Sequence, residues 1–384
     1  MQISTRPSDT PQDTAAGGHA AGFGPVHPSL LGAFSSDLSA YIADIPGGDR
    51  PYRARQLFHW MHARGEREFA AMTNLPEPLR AALAERWQVE ALRPVDEARS
   101  GETATRKFAF AGGDGARLEA VRIETRHRVT VCLSSQVGCG FGCGFCRTAQ
   151  MGFVRHLTAA EIVDQVHWVH RLAPLPRRFN LVFMGMGEPL ANYDQVIRAT
   201  DLLSHPEGLA VSPRRITVST VGLVPEILRL AKERPRVRLA VSLTAADDAL
   251  RNRLIPVNRR YPLAQLLAAV QQHVRITGRR VTFEYVLLAG VNDSEEDARR
   301  LARLANQVPC KLNLIPYNPT GLSGWVRPSA DQVERFARYL YPRTYAVTIR
   351  QSQGKDIFAA CGQLAQPVEP RGRRARAGAG AAGA

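Results

Sequence analysis

The sequence is poor in cysteine, in long apolar runs and in acidic residues, and each shortage excludes a class of protein. Six cysteines in 384 residues, three of them within eight positions, are too few and too clustered for a disulfide scaffold. No stretch approaches the ~18 uninterrupted apolar residues of a membrane span. The first thirty residues hold one arginine and no apolar core of a signal peptide. We therefore expect a cytoplasmic protein with no membrane association.

The shortage of acidic residues leaves a large positive charge. Lys and Arg number 50 against 35 Asp and Glu, which gives a formal net charge of +15. This balance favours a polyanionic partner, nucleic acid above all, with a basic composition unrelated to function as the alternative. Basic segments that would suit phosphate contacts, or are simply solvated surface, lie at 50–56, 213–215, 258–261, 275–280 and in the C-terminal tail.

Composition and periodicity divide the chain into five parts. Residues 1–30 are rich in Ser, Thr, Pro, Gly and Ala, which predicts disorder. Residues 31–95 show helical spacing and predict a small helical accessory domain, while 96–128 alternate around a glycine turn and predict a β-hairpin linker. Residues 129–366 form the main domain. The low-complexity, arginine-rich tail at 367–384 is interpreted as a basic arm or as a functionless tail.

The main domain alternates short apolar runs with amphipathic segments, which is the pattern of βα units and a parallel sheet. The predicted strands are 129–134, 179–184, 214–219, 237–243, 279–288 and 310–316, with a seventh at 345–350. The predicted helices are 158–173, 191–203, 224–234, 262–276, 294–307 and 329–341. Thr158 and Glu161 have the spacing of a capping box at the start of the first helix. Six units predict an α/β fold, a partial (β/α)6 barrel, with its chemistry after the C-terminal ends of the strands.

Three cysteines lie directly after the first predicted strand. In VGCGFGCGFC (137–146), Cys139, Cys143 and Cys146 form C-x3-C-x2-C. Three thiolates at this spacing suit a [4Fe–4S] cluster that leaves one iron open to a small molecule, and the interleaved glycines let the backbone wrap tightly around it. The alternatives are a structural zinc with Cys132 as fourth ligand and thiols that share no ligand.

This motif resembles that of the radical S-adenosylmethionine enzymes. More closely, the chain resembles the bacterial adenine C2-methyltransferases that act on adenine 2503 of 23S ribosomal RNA and, in some members, on tRNA. The likeness runs from about Pro51 to Leu364 and rests on CLSSQVGCGFGCGFCRTAQMGF, GMGEPLANYDQV, ITVSTVGLVP, AVSLTAADDALRNRLIPVN, LIPYNP and ACGQL. Together these segments are far more specific than the cysteine spacing alone.

The resemblance implies two cofactors, a [4Fe–4S] cluster and S-adenosylmethionine, with two molecules of the latter used per turnover. Cys139, Cys143 and Cys146 would hold the cluster. The positions that match contacts to S-adenosylmethionine are Gly187, Glu188, Ser219, Ser242, Leu243, Thr244 and Asn318. The family usually has histidine where this chain has Thr244, so a backbone contact carries over there and a side-chain contact does not.

Three further residues match positions that take part in the reaction. Cys361 in AACGQL matches the cysteine that carries the methyl group as a methyl-cysteine intermediate, and Cys132 matches the thiol that releases the product through a transient disulfide with Cys361. Glu119 matches the proposed proton acceptor, although a lone glutamate on an edge strand is more often just solvated. Cys310 matches no functional position and suits a small buried hydrophobe. Because carbon 2 of adenine is electron-poor and has no lone pair, the resemblance implies radical rather than polar methyl transfer.

The partners implied are 23S ribosomal RNA, tRNA and an electron donor such as flavodoxin, and we expect a monomer. A related enzyme that methylates carbon 8 of the same adenine, and so alters antibiotic sensitivity, is the alternative reaction. An iron–sulfur RNA-binding regulator without turnover is the alternative class of protein. A tRNA methylthiotransferase is disfavoured because its second cluster would need three more cysteines than the N-terminal region offers.

Overall fold

The computed structural model describes residues 27–321 and 324–364, and it begins with a helical module. The predictions for residues 1–26 and for the tail at 367–384 lie outside these ranges. The module contains α1 (Ser35–Ile42), α2 (Pro51–His62) and α3 (Glu77–Arg86). Pro51 opens α2 at the first helical position, where its missing N–H costs nothing and its fixed φ suits a helix. The helical character expected for this region is therefore present.

A ten-stranded sheet forms the rest of the scaffold. Its first three strands are antiparallel: β1 (Leu92–Arg99), β2 (Thr105–Gly112) and β3 (Arg117–Thr125). The parallel strands that follow are β4 (Arg128–Cys132), β7 (Asn180–Phe183), β8 (Ile216–Thr220), β9 (Arg238–Ser242), β10 (Val281–Leu287), β11 (Cys310–Pro316) and β12 (Val347–Ile349). Their order in the sheet is their order in the chain, from β1 to β12 without closure. Each predicted barrel strand is present, and the sheet forms a partial barrel.

Helices connect the parallel strands. They are α5 (Ala159–Leu172), α6 (Tyr193–Ser204), α7 (Val224–Glu233), α9 (Leu263–Thr277), α10 (Glu295–Ala305) and α11 (Ala330–Leu340). The predicted capping box at the start of α5 is confirmed: the Thr158 hydroxyl accepts from the Glu161 N–H at 3.2 Å, and Glu161 Oε2 accepts from the Thr158 N–H at 2.9 Å. Within 27–321 and 324–364, no helix is both long and apolar enough to cross a bilayer.

The structure adds elements that the periodicity does not predict. The predicted hairpin linker at 96–128 contains β2 and β3, but a further strand, β1, begins before it at Leu92, and β3 pairs directly with β4 through Val121 and Cys132. A small antiparallel pair, β5 (Gln136–Gly138) and β6 (Phe153–His156), flanks the cysteine loop. Two short helices, α4 (Arg147–Gln150) and α8 (Asp248–Leu254), lie in loops after strands. The additions β5, β6, α4 and α8 lie in loops that follow parallel strands, whereas β1 lies at the outer edge of the sheet.

One hydrophobic core joins the helical module to the barrel. It includes Phe58 of α2 and Val131 of β4 together with most of the inward-facing apolar residues of both parts. A buried ion pair crosses the same boundary, because Arg67 Nη2 lies 2.8 Å from Asp164 Oδ1 on α5. Asp164 Oδ2 accepts from two backbone N–H groups at the start of β1, so each carboxylate oxygen has a partner. The module is thus fixed to the barrel and to the antiparallel strands together.

Candidate functional site

A cavity of about 140 Å³ lies where the parallel strands end. It gathers most of the residues that sequence analysis selected: Cys139, Cys143, Cys146, Gly187, Glu188, Ser219, Ser242, Asn318 and Cys361. Each of them lies at or beyond the C-terminal end of a strand, since these ends meet at one edge of a parallel sheet. We refer to this space as the small cavity.

The cysteine loop is held against β6 by a close backbone approach. Gly138 has φ +71°, and a Cβ at this position would lie 1.9 Å from the carbonyl oxygen of Gly152. The Cys139 N–H donates to that same carbonyl at 2.8 Å. Only glycine permits this approach in the left-handed region, so Gly138 fixes where the first cysteine emerges.

The three thiols line the small cavity, with Cys139 and Cys143 buried and Cys146 half-buried, and loss of solvent makes them poor thiolates by themselves. Burial raises the pKa of Cys139 to about 11 and that of Cys143 well above its usual value, and neighbouring thiols raise both further. The pKa of Cys146 is raised for the same reason. A positively charged inorganic centre would reverse this effect, because a metal-bound thiol ionises outright. The donor set therefore suits a cluster.

The zinc alternative needs Cys132 to join the three cysteines as a fourth ligand. A [4Fe–4S] cluster spreads its ligands over separate iron atoms, whereas tetrahedral zinc draws its ligands to one ion. Cys132, the fourth ligand in the zinc alternative, lines a different cavity. This geometry favours the cluster over zinc.

Glu188 joins two loops beside the thiols. Its carboxylate accepts from the Leu190 N–H at 3.0 Å and from the Val221 N–H, in the loop after β8, at 2.8 Å. Burial raises its pKa to about 7 despite these bonds. The preceding Gly187 has φ +98°, and a Cβ there would lie 2.5 Å from Cβ of Gln136. The GMGEP turn therefore packs directly on β5 and is more than a generic glycine turn.

Arg251 is a residue of this site that sequence reasoning missed. It is 1% exposed on α8, and its guanidinium donates to the carbonyl oxygens of Val221, Ser242 and Leu243 and to Oδ1 of Asn258. It thereby ties together the loops after β8 and β9. The one signal in the sequence was that Arg251 lies within AVSLTAADDALRNRLIPVN, a segment on which the family resemblance rests.

Leu243 and Thr244 do not line the small cavity. The Leu243 N–H donates to the Glu284 carbonyl at 2.9 Å, and the Thr244 carbonyl accepts from Asn292 Nδ2 at 2.7 Å. Thr244 has φ +57°, unusual for a β-branched residue, and its fully buried hydroxyl has no hydrogen-bond partner within the described structure. Of the seven positions matched to S-adenosylmethionine, these two therefore stand apart.

A second cavity, of about 590 Å³, runs along the inner face of the barrel. We refer to it as the large cavity. Its cationic lining comes from Arg128, Arg215, Arg238, Lys311 and Arg350. Glu284 is the one carboxylate among the described residues that line it, and hydroxyl and amide side chains supply most of the remaining polar surface. Cys132 and Cys361 both line it as well.

Six residues line both cavities and form a shared wall between them: Met184, Glu284, Ile315, Asn318, Arg350 and Cys361. Cys361 lies in a segment after β12 that has no helix or strand. Its carbonyl accepts from Asn318 Nδ2 at 3.3 Å, and the carbonyl of Gly362 accepts from the Arg147 N–H at 2.8 Å. Arg147 directly follows the last cysteine of the loop, so the Cys361 segment is attached to that loop.

Cys132 and Arg350 meet inside the large cavity. Cys132 ends β4, and burial raises its pKa to about 12; a nearby Cys361 thiolate raises it further, while the Arg350 guanidinium lowers it. Arg350 follows β12 and points its Nη1 toward Sδ of Met184 at 3.6 Å. Its position directly after a barrel strand is a signal that sequence analysis could have used and did not.

Glu119 occupies a different setting from the one expected. It lies on β3, an inner strand of the sheet, and is 4% exposed rather than solvated on an edge. Its Oε1 lies 3.0 Å from Lys107 Nζ, and its carbonyl accepts from the Ser134 hydroxyl at 2.6 Å. Glu119 is not among the described residues that line either cavity. The edge-strand description is wrong, while its role as proton acceptor stays a prediction.

Comparison with known proteins connects this geometry to a family. The family model described as Radical SAM superfamily matches residues 133–302, and the one described as ribosomal RNA large subunit methyltransferase N-terminal domain matches residues 29–89. The dual-specificity RNA methyltransferase RlmN of Anaeromyxobacter dehalogenans is 46% identical over 361 residues, which cover 91% of this chain and 96% of that protein. The chain belongs to the RlmN family. An RlmN of Geobacter sulfurreducens is 49% identical over 319 residues, 83% of this chain and 87% of the relative.

A solved structure that is similar to this RlmN family member has the same fold. The crystal structure of a radical SAM methyltransferase from Sphaerobacter thermophilus, 47% identical, matches with a TM-score of 0.83 and covers 88% of this chain and 98% of that one. The predicted radical S-adenosylmethionine barrel is therefore confirmed. Enzymes of this superfamily use a [4Fe–4S] cluster and S-adenosylmethionine, which confirms the two predicted cofactors.

Proposed function

We propose that this chain methylates carbon 2 of adenine 2503 in 23S ribosomal RNA, and adenine in tRNA, through a methyl group carried on Cys361. The observation that supports this most directly is the position of Cys361 in the shared wall, facing both cavities. A residue that receives a methyl group from one ligand and passes it to another must be reachable from both. The relatives' name, dual-specificity RNA methyltransferase, agrees with an RNA substrate.

Cys139, Cys143 and Cys146 would hold the cluster. Gly187, Glu188, Ser219, Ser242 and Asn318 would surround S-adenosylmethionine, with Leu243 and Thr244 acting from behind through the backbone. The bound cofactors supply the one-electron chemistry that an electron-poor ring carbon requires. The apolar closure of the small cavity, by residues such as Phe183 and Val286, keeps water from these reactants.

Cys361 first loses its proton and takes a methyl group from S-adenosylmethionine, so that a sulfur–carbon bond forms as the sulfonium bond breaks. Once that carbon has given up one hydrogen atom to the cofactor chemistry and is bonded to ring carbon 2, Cys132 would release the product. Its thiolate would attack the Cys361 sulfur, a disulfide would form, and the sulfur–carbon bond would break with its electron pair going to the methylene carbon, which takes up a proton and becomes the methyl group of the base. Glu119 would accept the ring proton, for which it must exchange its Lys107 partner for the substrate.

The two solitary cysteines give the test, because the scheme places them at opposite ends of the reaction. With anaerobically reconstituted protein and an rRNA fragment, Cys361→Ala should yield no modified adenine and no covalent RNA. Cys132→Ala should stall as a protein–RNA adduct, visible as a shifted band in a denaturing gel and lost on nuclease digestion. The double variant should form no adduct, since the adduct needs Cys361.

Nucleoside chromatography against standards then identifies the product as 2-methyladenosine or 8-methyladenosine, and the same assay with a tRNA fragment tests the second substrate. Methyladenine from both single variants would contradict the covalent scheme. If the chain binds RNA but does not cleave S-adenosylmethionine, the result would instead support the alternative of an iron–sulfur RNA-binding regulator without turnover.

A further inference from the structure

Basic residues occur at or just before the start of six of the seven parallel strands of the barrel. The residues are Arg126 and Arg128 at β4, Arg177 and Arg178 at β7, Arg214 and Arg215 at β8, Arg236 and Arg238 at β9, Arg279 and Arg280 at β10, and Lys311 at β11. The starts of parallel strands lie at one edge of the sheet, so these side chains belong to one end of the barrel. We refer to them as the N-terminal rim. This end is opposite to the cysteine loop.

The rim contains no balancing acid. The segments 126–128, 176–180, 213–216, 235–238, 278–281 and 309–311 include no Asp or Glu. Arginines on the outer helices behave differently: Arg229 pairs with Asp194 and Glu233, and Arg299 pairs with Glu295. No rim residue forms an ion pair with any carboxylate in the described ranges. Unpaired like charges repel one another, and a polyanion relieves that repulsion.

The rim leads into the large cavity. Arg128, Arg215, Arg238 and Lys311 belong to both, and Cys132 and Cys361 lie further along the same lining. Its volume of about 590 Å³ falls within the roughly 300–1,000 Å³ of typical ligand pockets and suits a single nucleotide. Enzymes that act on a base within a pocket take that base out of its stack, so a cavity of this size favours an unstacked nucleotide.

An exposed aromatic side chain lies beside the rim. Tyr345, between α11 and β12, is 64% exposed, and the Arg280 guanidinium lies 3.8 Å from its ring centroid. Exposed aromatic rings next to arginine are surfaces on which unpaired bases stack. Cationic side chains, a pocket for one nucleotide and a stacking surface together describe a single-stranded RNA segment better than an acidic protein, which needs neither of the last two.

We propose that the RNA enters the barrel through the N-terminal rim. The phosphates on either side of the target contact the rim cations, and the unstacked nucleotide occupies the large cavity with its base toward Cys132 and Cys361. This inference rests on the proposed function for the identity of the base, but the surface and its ligand class are argued from charge and shape. It assigns the two ends of one barrel to two different ligands.

The test compares two sets of charge changes in the full, iron-loaded chain. The rim variant is Arg177→Gln, Arg214→Gln and Arg236→Gln, all exposed and none lining a cavity. The control is Arg299→Gln, Arg335→Gln and Arg338→Gln on the outer helices α10 and α11, also exposed. Both sets remove three positive charges, and the basic tail is present in both. Affinity for a labelled RNA hairpin with adenine in its loop is measured against salt concentration.

We expect the rim variant to lower the slope of log K against log[salt] by about 2 to 3, at roughly 0.7 to 0.9 per lost phosphate contact. Its affinity should fall at least tenfold at low salt while the control changes less than twofold. Equal losses in both variants would overturn the proposal, because net charge alone would then explain binding. A fully paired duplex that binds as tightly as the hairpin would overturn the insertion of an unstacked nucleotide.

Failure of the proposed function is distinguishable from failure of this inference. If the wild-type chain makes no methyladenine and the rim variant still loses RNA affinity relative to the control, the reaction is wrong and the surface stands. If methyladenine forms but polyglutamate competes with the hairpin as well as RNA does, the reaction stands and the rim is not specific for RNA.

Discussion

The small and large cavities share a wall but have opposite characters. The small cavity holds three thiols whose pKa values are raised, and Arg350 is the one cation among the described residues that line it. The large cavity is more than four times as voluminous, at about 590 Å³ against 140 Å³, and takes five cationic side chains into its lining. Low polarity suits one-electron chemistry, whereas positive charge suits a polyanion. The difference supports the proposal that RNA and the cofactors occupy separate compartments that meet at Cys361.

The largest effect should come from removing a thiol of the small cavity. Wild-type protein should hold about four irons per chain, as one [4Fe–4S] cluster requires. Cys139→Ala, Cys143→Ala or Cys146→Ala should lose most of this iron and all detectable methyladenine, measured by iron assay and nucleoside analysis. If the cavities are separate, hairpin RNA should bind these variants within about twofold of wild type.

Cys310→Ala is the matched control, because the Cys310 thiol lies outside both linings and contacts the Ala305 carbonyl at 3.4 Å. It should keep its iron and its activity. Iron loss from this control, or tight zinc uptake by the wild type in place of iron, would contradict the assignment of the small cavity.

A smaller effect should follow from Arg251→Met, which removes a buried cation from behind the small cavity. Three carbonyls and one amide oxygen would lose their donor, and an unpaired buried group of this kind costs several kcal/mol. We expect the free energy of unfolding to fall by about 3 to 5 kcal/mol, measured by anaerobic urea titration. Arg253→Met, exposed on the same helix, should change it by less than about 0.5 kcal/mol. An equal loss of the free energy of unfolding in both variants would contradict the role assigned to Arg251 in holding the loops of the site.

The smallest effect should come from Arg350→Gln at the shared wall. The Arg350 charge lowers the pKa of Cys132, which burial holds at about 12, so its loss should raise that pKa further. Less thiolate is then present at any given pH, and the rate of adduct release should fall about tenfold if the pKa of Cys132 rises by about one. Release should rise with pH in both proteins, with the variant displaced to higher pH, and Arg350→Lys should restore most of the rate.

The measurement is the single-turnover decay of the covalent adduct between pH 7 and 9. A variant whose decay matches wild type at every pH would show that Arg350 has only a packing role. A slower rate that does not rise with pH would lead to the same conclusion.

The barrel was predictable because its signals are local. Each parallel strand is a short apolar run between turn residues, and each following helix has a periodic apolar face, so 129–134 or 310–316 could be identified from their own residues. The spacing of Cys139, Cys143 and Cys146 identified these thiols in the same way, whereas Cys361 in ACGQL was identified through the family resemblance. The shared wall was not predictable, since Glu284, Arg350 and Met184 come from distant strands and meet only through the strand order.

Buried charged residues were the other feature that the sequence did not predict. Arg251 and Glu119 look like ordinary surface residues in the sequence, and nothing in the residues around them reveals that their partners are carbonyls of other loops or Lys107 on the neighbouring strand. β1 was missed because its sequence, LRPVDEAR, contains a proline and four charges. Propensity alone disfavours such a segment as a strand, and pairing with β2 overrides it.

That same composition protects an open barrel from self-association. A sheet that does not close leaves two edge strands, each with unpaired backbone groups that a second chain could join. Here one edge is β12, only three residues long. The other is β1, where Pro94 removes a donor, the register shifts between Pro94 and Asp96, and Arg93 and Arg99 are exposed. The charges that make β1 hard to predict are thus the ones that keep its edge from recruiting a neighbouring sheet, so the open architecture is compatible with high concentration in solution.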